Sequence, residues 1–212
     1  MNSQFSYKVS LPLNMEEGKR YPVIYAMHGM GSNEENIISL IEELKKDFII
    51  IGIRGSLHQG NGFAYFSIKG YGNPHRESFD KAVNSLEQFI NDASKEYPID
   101  VNNQYLLGFS QGAILSMTLA LVMGNKIKGI VALSGYIPKF VKEEYQIKSV
   151  EDMSIFISHG EADLVFPLNI GKENHDFFKE RSDKVSFVSY AAGHEVSLKN
   201  RNDMIKWIYA NL

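Results

Sequence analysis

The pentapeptide Gly108-Phe109-Ser110-Gln111-Gly112 lies between the apolar runs Tyr105-Leu106-Leu107 and Ala113-Ile114-Leu115. A strand that ends here and a helix that starts here leave Ser110 on a sharp turn, with its hydroxyl at the carboxyl edge of a sheet. Gly108 and Gly112 suit that turn, because a Cβ at either position would collide as strand and helix close together. A serine hydroxyl is a poor nucleophile near neutral pH. It needs a neutral imidazole to take its proton and a carboxylate to orient that imidazole. One known arrangement for a serine on such a strand-to-helix turn has the chain order serine, acid, histidine, each partner on a loop after a later strand. After Ser154-Ile155-Phe156-Ile157-Ser158 comes His159-Gly160-Glu161-Ala162-Asp163, and after the run Val185 to Tyr190 comes Ala191-Ala192-Gly193-His194-Glu195. Asp163 and His194 occupy the two expected loops. Among the other histidines, His175 falls inside an expected helix, His58 and His75 precede the nucleophile, and His28 and His159 sit in His-Gly turns. Glu161 and Glu195 compete for the role of the acid. Asp163 is preferred by its loop position and by Pro167, which fixes the turn that follows.

Attack on a carbonyl also requires two donors aimed at the developing oxyanion. One is expected to be the backbone N–H of Gln111, next to the nucleophile, and the other an N–H from the loop Met27-His28-Gly29-Met30-Gly31-Ser32, with Met30 favoured. Read as a phosphate loop, Gly29-Met30-Gly31 lacks both the third glycine and the Lys-Ser/Thr ending. Apolar side chains near these loops, Met30, Phe63, Tyr65, Phe66, Val165 and Phe166, could line an acyl groove. Met30, Tyr65 and Val165 are the expected substrate contacts. The competing reading is that about half of these pack under their own loops, since Met and aromatics are common core fillers.

The elements that must position these groups are readable from periodicity. Seven candidate strands run over Phe5 to Leu11, Val23 to Met27, Phe48 to Ile53, Gln104 to Phe109, Lys128 to Ser134, Ser154 to Ser158 and Val185 to Tyr190. The inner ones, such as Phe48 to Ile53, are nearly continuous apolar runs, which implies that helices cover both sheet faces. Pro74 to Tyr97 spaces Phe79, Ala82, Val83, Leu86, Phe89, Ile90 and Ala93 by threes and fours, as an amphipathic helix does. Further helices are expected over Glu34 to Lys46, Gln111 to Met123, Asn169 to Arg181 and Ser197 to Ala210. The alternation predicts an α/β fold with a mostly parallel central sheet. With no repeat, low-complexity tract or linker, residues 1–212 read as a single domain without a large cap. Gly55 to Asn73 and Tyr136 to Val150 fit no regular element and are candidate binding loops. The second could form a small flap through Ile137, Phe140, Val141 and Tyr145.

Composition narrows the function. The 212 residues, 44% hydrophobic and 22% charged, suit one sizeable core. A net charge of −3 gives no overall drive toward nucleic acid or anionic lipid. The absence of cysteine excludes disulfides, Cys-ligated zinc, iron–sulfur clusters and a thiol nucleophile. No stretch approaches the roughly 18 apolar residues of a membrane span, and no leader pattern opens the chain. The expectation is a cytoplasmic protein without integral membrane association, needing no cofactor and no metal. Its oligomeric state is not readable.

With these residues in place, the chain from about Tyr21 onward resembles the phospholipase/carboxylesterase family of α/β-hydrolases, which includes acyl-protein thioesterases and small bacterial carboxylesterases. His28-Gly29-Met30-Gly31 resembles the family's HG-x-G oxyanion loop, and Gly108 to Gly112 its GFSQG elbow. His159-Gly160 through Asp163, Val165 and Pro167 is similar to its HG-x-x-D-x-V-x-P acid loop, and Gly193-His194-Glu195 to its GHE turn. Asn61 to Ser67 resembles a G-F/Y-A-W-F-D stretch of bacterial members near the acyl site, with Tyr65 for Trp and Ser67 for Asp. Ala113 stands where many members carry Gly, and Ser32-Asn33 where an acidic residue is common. The resemblance implies an α/β-hydrolase fold and a serine esterase or thioesterase with Ser110, Asp163 and His194 as its triad. It also implies an oxyanion hole from the amides of Met30 and Gln111. The expected reaction is hydrolysis of small to medium acyl esters through an acyl-enzyme. Release of acyl groups from proteins or lysophospholipids is the alternative, and a binding protein on a hydrolase scaffold, which predicts a broken triad, ranks below both.

Overall fold

The structure is a computed structural model and describes residues 4–212. One seven-stranded sheet is formed by β1 (Tyr7–Ser10), β2 (Tyr21–Met27), β3 (Ile49–Ile53), β8 (Ile99–Phe109), β9 (Gly129–Leu133), β10 (Ser154–Gly160) and β11 (Val185–Tyr190), in the spatial order β1-β3-β2-β8-β9-β10-β11. Only β1 runs antiparallel to its neighbour, and the other pairs are parallel. The seven sequence-read strands are these seven. The largest difference is β8, which starts at Ile99 rather than Gln104 because Ile99 pairs with Tyr21 before the register shifts.

Two cores sandwich the sheet, as nearly continuous apolar strands require. Tyr25, Ile51, Leu106 and Ile130 point to the side covered by α2 (Arg76–Glu96), α3 (Gln111–Met123), α4 (Lys139–Glu144) and α5 (Leu168–Lys179). Ile24, Ile50, Leu107 and Val131 point to the side covered by α1 (Glu34–Ser39) and α6 (Leu198–Ala210). The buried side of α2 comprises Phe79, Ala82, Val83, Leu86, Phe89, Ile90 and Ala93, the stripe that the spacing predicted. By contrast α3, whose residues are nearly all buried, is the central helix behind the site.

The helix expected over Glu34 to Lys46 is split. Asn33 caps α1 by accepting from the Asn36 N–H at 3.0 Å, but the helix ends at Ser39, and a 3₁₀ turn follows over Glu42–Lys46. Arg201 of α6 donates to the Leu40 carbonyl at 2.8 Å, and the Ile41 N–H bonds Ile38 in an i→i−3 step. The α-helical ladder is thereby replaced by tighter turns where α6 crosses.

Both irregular stretches carry short regular elements, although much of each surface is exposed. Residues 57–74 form two small hairpins, β4 (Leu57–Gln59) with β5 (Gly62–Ala64) and β6 (Ile68–Gly70) with β7 (Asn73–Pro74). The stretch 136–150 carries α4 and is packed down, with Val141 buried and Phe140 set edge-on against Phe79 at 5.2 Å. Arg76 clamps it by bonding Glu144 at 2.5 Å, and the Tyr145 hydroxyl donates to Asp80 at 2.5 Å. Its apolar side chains therefore face the body of the protein rather than a hinged flap. Among the described residues no helix is long and apolar enough to cross a membrane.

Candidate active site

Ser110 follows β8 with φ 53° and ψ −113°, a conformation that costs a non-glycine residue energy and that its surroundings must enforce. The enforcement is visible in the flanking glycines. A Cβ on Gly108 would lie 2.1 Å from the Gly112 carbonyl oxygen, and one on Gly112 would lie 2.0 Å from that of Met27. The Ser110 N–H is bound to the Leu133 carbonyl at 2.9 Å, and its own carbonyl opens α3 by accepting from Ile114 at 3.1 Å.

The loops after β10 and β11 meet above this turn. They are stitched by hydrogen bonds from Glu161 N–H to Tyr190 and from Ala162 N–H to Ala192, at 2.8 and 3.0 Å. A Cβ on Gly160 would strike the Gly193 carbonyl at 2.1 Å. His194 is thereby held with Nε2 2.8 Å from Ser110 Oγ and Nδ1 2.7 Å from Asp163 Oδ2. Phe109 and Phe166 pack against the imidazole, with centroids at 5.0 and 5.4 Å. The Asp163 side chain is fully buried. Its second oxygen, Oδ1, accepts from the N–H groups of Val165 and Phe166 at 2.8 and 2.9 Å. Burial pushes the Asp163 carboxyl upward, but the hydrogen bond to His194 and those two N–H groups outweigh it, so its pKa lies below the ordinary value.

The rivals have other partners. Glu161 is exposed and accepts from the Ser189 hydroxyl at 2.8 Å, and Glu195 is exposed at the rim. His28 is buried. Its Nε2 accepts from the Gly55 N–H at 3.0 Å, which leaves the proton on Nδ1 to be donated to the Gly29 carbonyl at 2.7 Å. His28 thus ties the loop after β2 to the loop after β3. His159 donates from Nε2 to the Phe166 carbonyl at 2.6 Å, bracing the loop that carries Asp163. His175 pairs with Asp176 on the surface.

The loop 28–32 is pinned to β5, with Gly31 N–H bonding the Phe63 carbonyl and Phe63 N–H bonding that of Ser32, both at 2.8 Å. Among the described residues the N–H groups of Met30 and Gln111 have no hydrogen-bond partner. The side chain of Gln111 is fully engaged. Oε1 accepts from Tyr65 N–H at 2.7 Å, and Nε2 donates to the Phe66 carbonyl at 2.9 Å, locking the elbow to the stretch before α2. Sequence reasoning missed this clamp because a lone Gln carries no spacing signal.

Ser110, Gln111 and His194 open onto a cavity of about 130 Å³, whose walls include Met30, Phe66, Ile68, Tyr136, Val165 and Phe166. Met30 and Val165 therefore stand where a substrate contact was expected. Tyr65 does not. It is 2% exposed and turned into the core, where its hydroxyl donates to the Ile53 carbonyl at 2.6 Å and accepts from His28 N–H at 3.1 Å. The correction has a physical reason: a buried phenol must place its hydroxyl on polar partners, and here these are backbone groups at the ends of β2 and β3. Phe63 also lies off the cavity, beneath the Arg54 guanidinium at 4.7 Å. Ile68, Tyr71, Ile114 and Tyr136, which line the cavity, were not singled out from sequence, because they reach it from three separate parts of the chain, the first two from one hairpin. No cluster of three or more metal-ligating side chains occurs among the described residues.

Comparison with known proteins agrees with this picture. The profile described as Phospholipase/Carboxylesterase matches residues 13–212. A protein of Candida albicans named acyl-protein thioesterase 1 is 32% identical over 163 residues, covering 70% of each chain. One of the same name from Yarrowia lipolytica is 25% identical, over 88% of this chain and 90% of that one. Among solved structures, the Bacillus cereus carboxylesterase superposes with a TM-score of 0.88 at 22% identity, over 100% of this chain and 96% of the other. The match across 13–212 spans every loop that meets at Ser110, and the chain belongs to the phospholipase/carboxylesterase family of α/β-hydrolases.

Proposed function

We propose that the protein is a serine carboxylesterase or thioesterase that hydrolyses small to medium acyl esters through an acyl-enzyme, with Ser110, His194 and Asp163 as its triad and the whole chain as one catalytic unit. The observation that carries this reading is the unbroken Ser110–His194–Asp163 hydrogen-bond chain, at 2.8 and 2.7 Å, opening on an apolar cavity. In this reading His194 Nε2 accepts the Ser110 proton as Oγ attacks the carbonyl carbon, while Asp163 steadies the proton on Nδ1. The oxyanion is received by the free N–H groups of Met30 and Gln111. His194 then returns the proton to the departing alcohol or thiol, and water repeats the sequence on the acyl-Ser110 ester.

Cavity size favours short acyl groups over the long chains of the alternative, in which proteins or lysophospholipids are deacylated. An apolar cavity of about 150 Å³ holds benzene, and the acyl space here is about 130 Å³. The test is turnover of p-nitrophenyl esters of increasing acyl length by wild type and Ser110→Ala. The variant should fold and lose roughly 10⁴- to 10⁶-fold in rate, because the triad acts as a unit. Wild-type activity in the variant would remove Ser110 from the mechanism, and sustained turnover of long acyl chains would favour the alternative.

A further inference from the structure

His194 borders two cavities. The second is a groove of about 250 Å³, walled mainly by Ile37, Leu40, Phe109 and Val196, with the polar Ser32 and Asn36 also on its lining. Leu40 and Val196 are half-buried, so the groove is open to entry, and both pack on the core that holds α1 and α6. Glu195 stands exposed at the rim. Given the triad reading above, on which this inference rests, the leaving oxygen or sulfur must take its proton from His194 Nε2. With the acyl chain in the smaller cavity, the groove is the second space that His194 borders.

We infer that the groove is the leaving-group site and that the substrates are esters joining a short acyl group to a bulky, apolar alcohol or thiol without an anionic group. Size supports the asymmetry. The groove, open to solvent, measures about 250 Å³ against about 130 Å³ for the acyl cavity. The apolar walls favour an aromatic or branched alkyl body. The Glu195 carboxylate at the rim disfavours an anion. In the step concerned, Ser110 Oγ forms the new bond to the carbonyl carbon and the bond from that carbon to the alcohol oxygen breaks. The proton from Ser110 passes through His194 Nε2 to that oxygen, and the free alcohol leaves by the groove.

Benzyl acetate and methyl phenylacetate test this on the wild-type protein, since they are isomers with the same groups exchanged across the ester bond. Benzyl acetate should be cleaved with at least about tenfold higher kcat/KM, the size of effect expected when a ring is placed in, rather than excluded from, an apolar pocket. Filling the groove with Val196→Trp, or independently Leu40→Trp, should lower the benzyl acetate to methyl acetate ratio about tenfold in whichever variant folds. Equal rates on the isomers, or preference for methyl phenylacetate, would overturn the groove assignment while leaving the triad intact. Failure on both isomers while p-nitrophenyl acetate is still cleaved would overturn it too. If p-nitrophenyl acetate is also inert, the triad reading falls and the groove assignment with it.

Discussion

At the scale of single residues, the acid position separates a catalytic reading from a coincidental one. Asp163 and Glu161 lie two positions apart on one loop, yet Asp163 is enclosed and receives three hydrogen bonds, while Glu161 is exposed beside Ser189. Asp163→Asn presents His194 with an amide and disfavours the tautomer that can accept the Ser110 proton, so kcat should fall on the order of 10⁴-fold. Glu161→Gln should leave kcat nearly unaltered. Steady-state kinetics on p-nitrophenyl acetate compares the two, and the reverse ranking would exchange their roles. Both residues were named from chain order and loop position. Burial, which distinguishes them physically, depends on β11 lying beside β10 and is invisible in a single sequence.

At the scale of elements, the site is held by bonds among loops that follow different strands. The stretch 55–73 shows this most clearly, because in sequence it reads as an irregular, glycine-rich connection, and in the fold its residues 62–66 back the elbow. A Cβ on Gly62 would meet the Gly31 carbonyl at 2.1 Å, and one on Gly55 the Ala64 carbonyl oxygen at 2.4 Å, so these glycines allow backbones to touch. Tyr65, read as a substrate contact, instead joins the ends of β2 and β3 through its hydroxyl. Tyr65→Phe removes the partner of one buried backbone N–H and one buried carbonyl at the cost of a single oxygen. Unfolding free energy should drop by about 2 to 6 kcal/mol, the sum expected for two unsatisfied buried groups. Urea denaturation measures it, and a loss below about 0.5 kcal/mol would mean the two backbone groups are satisfied in some other way.

For the whole molecule, strand order decides where the chemistry sits. The chain runs outward from β2 to β3 on one side and, after α2, returns to place β8 on the other side of β2, so the connections diverge between β2 and β8. Such a divergence opens a crevice at the carboxyl ends of the two strands. Met27 and Phe109 are those ends, and the loops bearing Met30 and Ser110 grow from them. The same assembly sets the acid limit of stability. Burial lowers the pKa of His28 below 6.5, so the fold favours its neutral form. Its contribution is complete above about pH 6.5 and is lost as pH falls from there through the depressed folded value. Asp163, lowered from 3.8, contributes fully above that value and loses its share as pH drops through its own folded pKa. Melting temperature should therefore decline in two stages on acidification, the first setting in below about pH 6.5 and the second below about pH 4. A His28→Asn variant should lack the first stage, and a single transition in the wild type would contradict the assignment. The sequence by itself determined the alternation of strands and helices, the buried stripe of α2 and the choice of Ser110, His194 and Asp163, which the fold joins in one hydrogen-bond chain, because hydrophobic period and turn chemistry are local. Only the tertiary structure decided which apolar side chains line the cavity, that α1 breaks under Arg201, and that residues 136–150 pack down on α2. Those outcomes depend on which elements become neighbours, and no local pattern encodes neighbours that are distant along the chain.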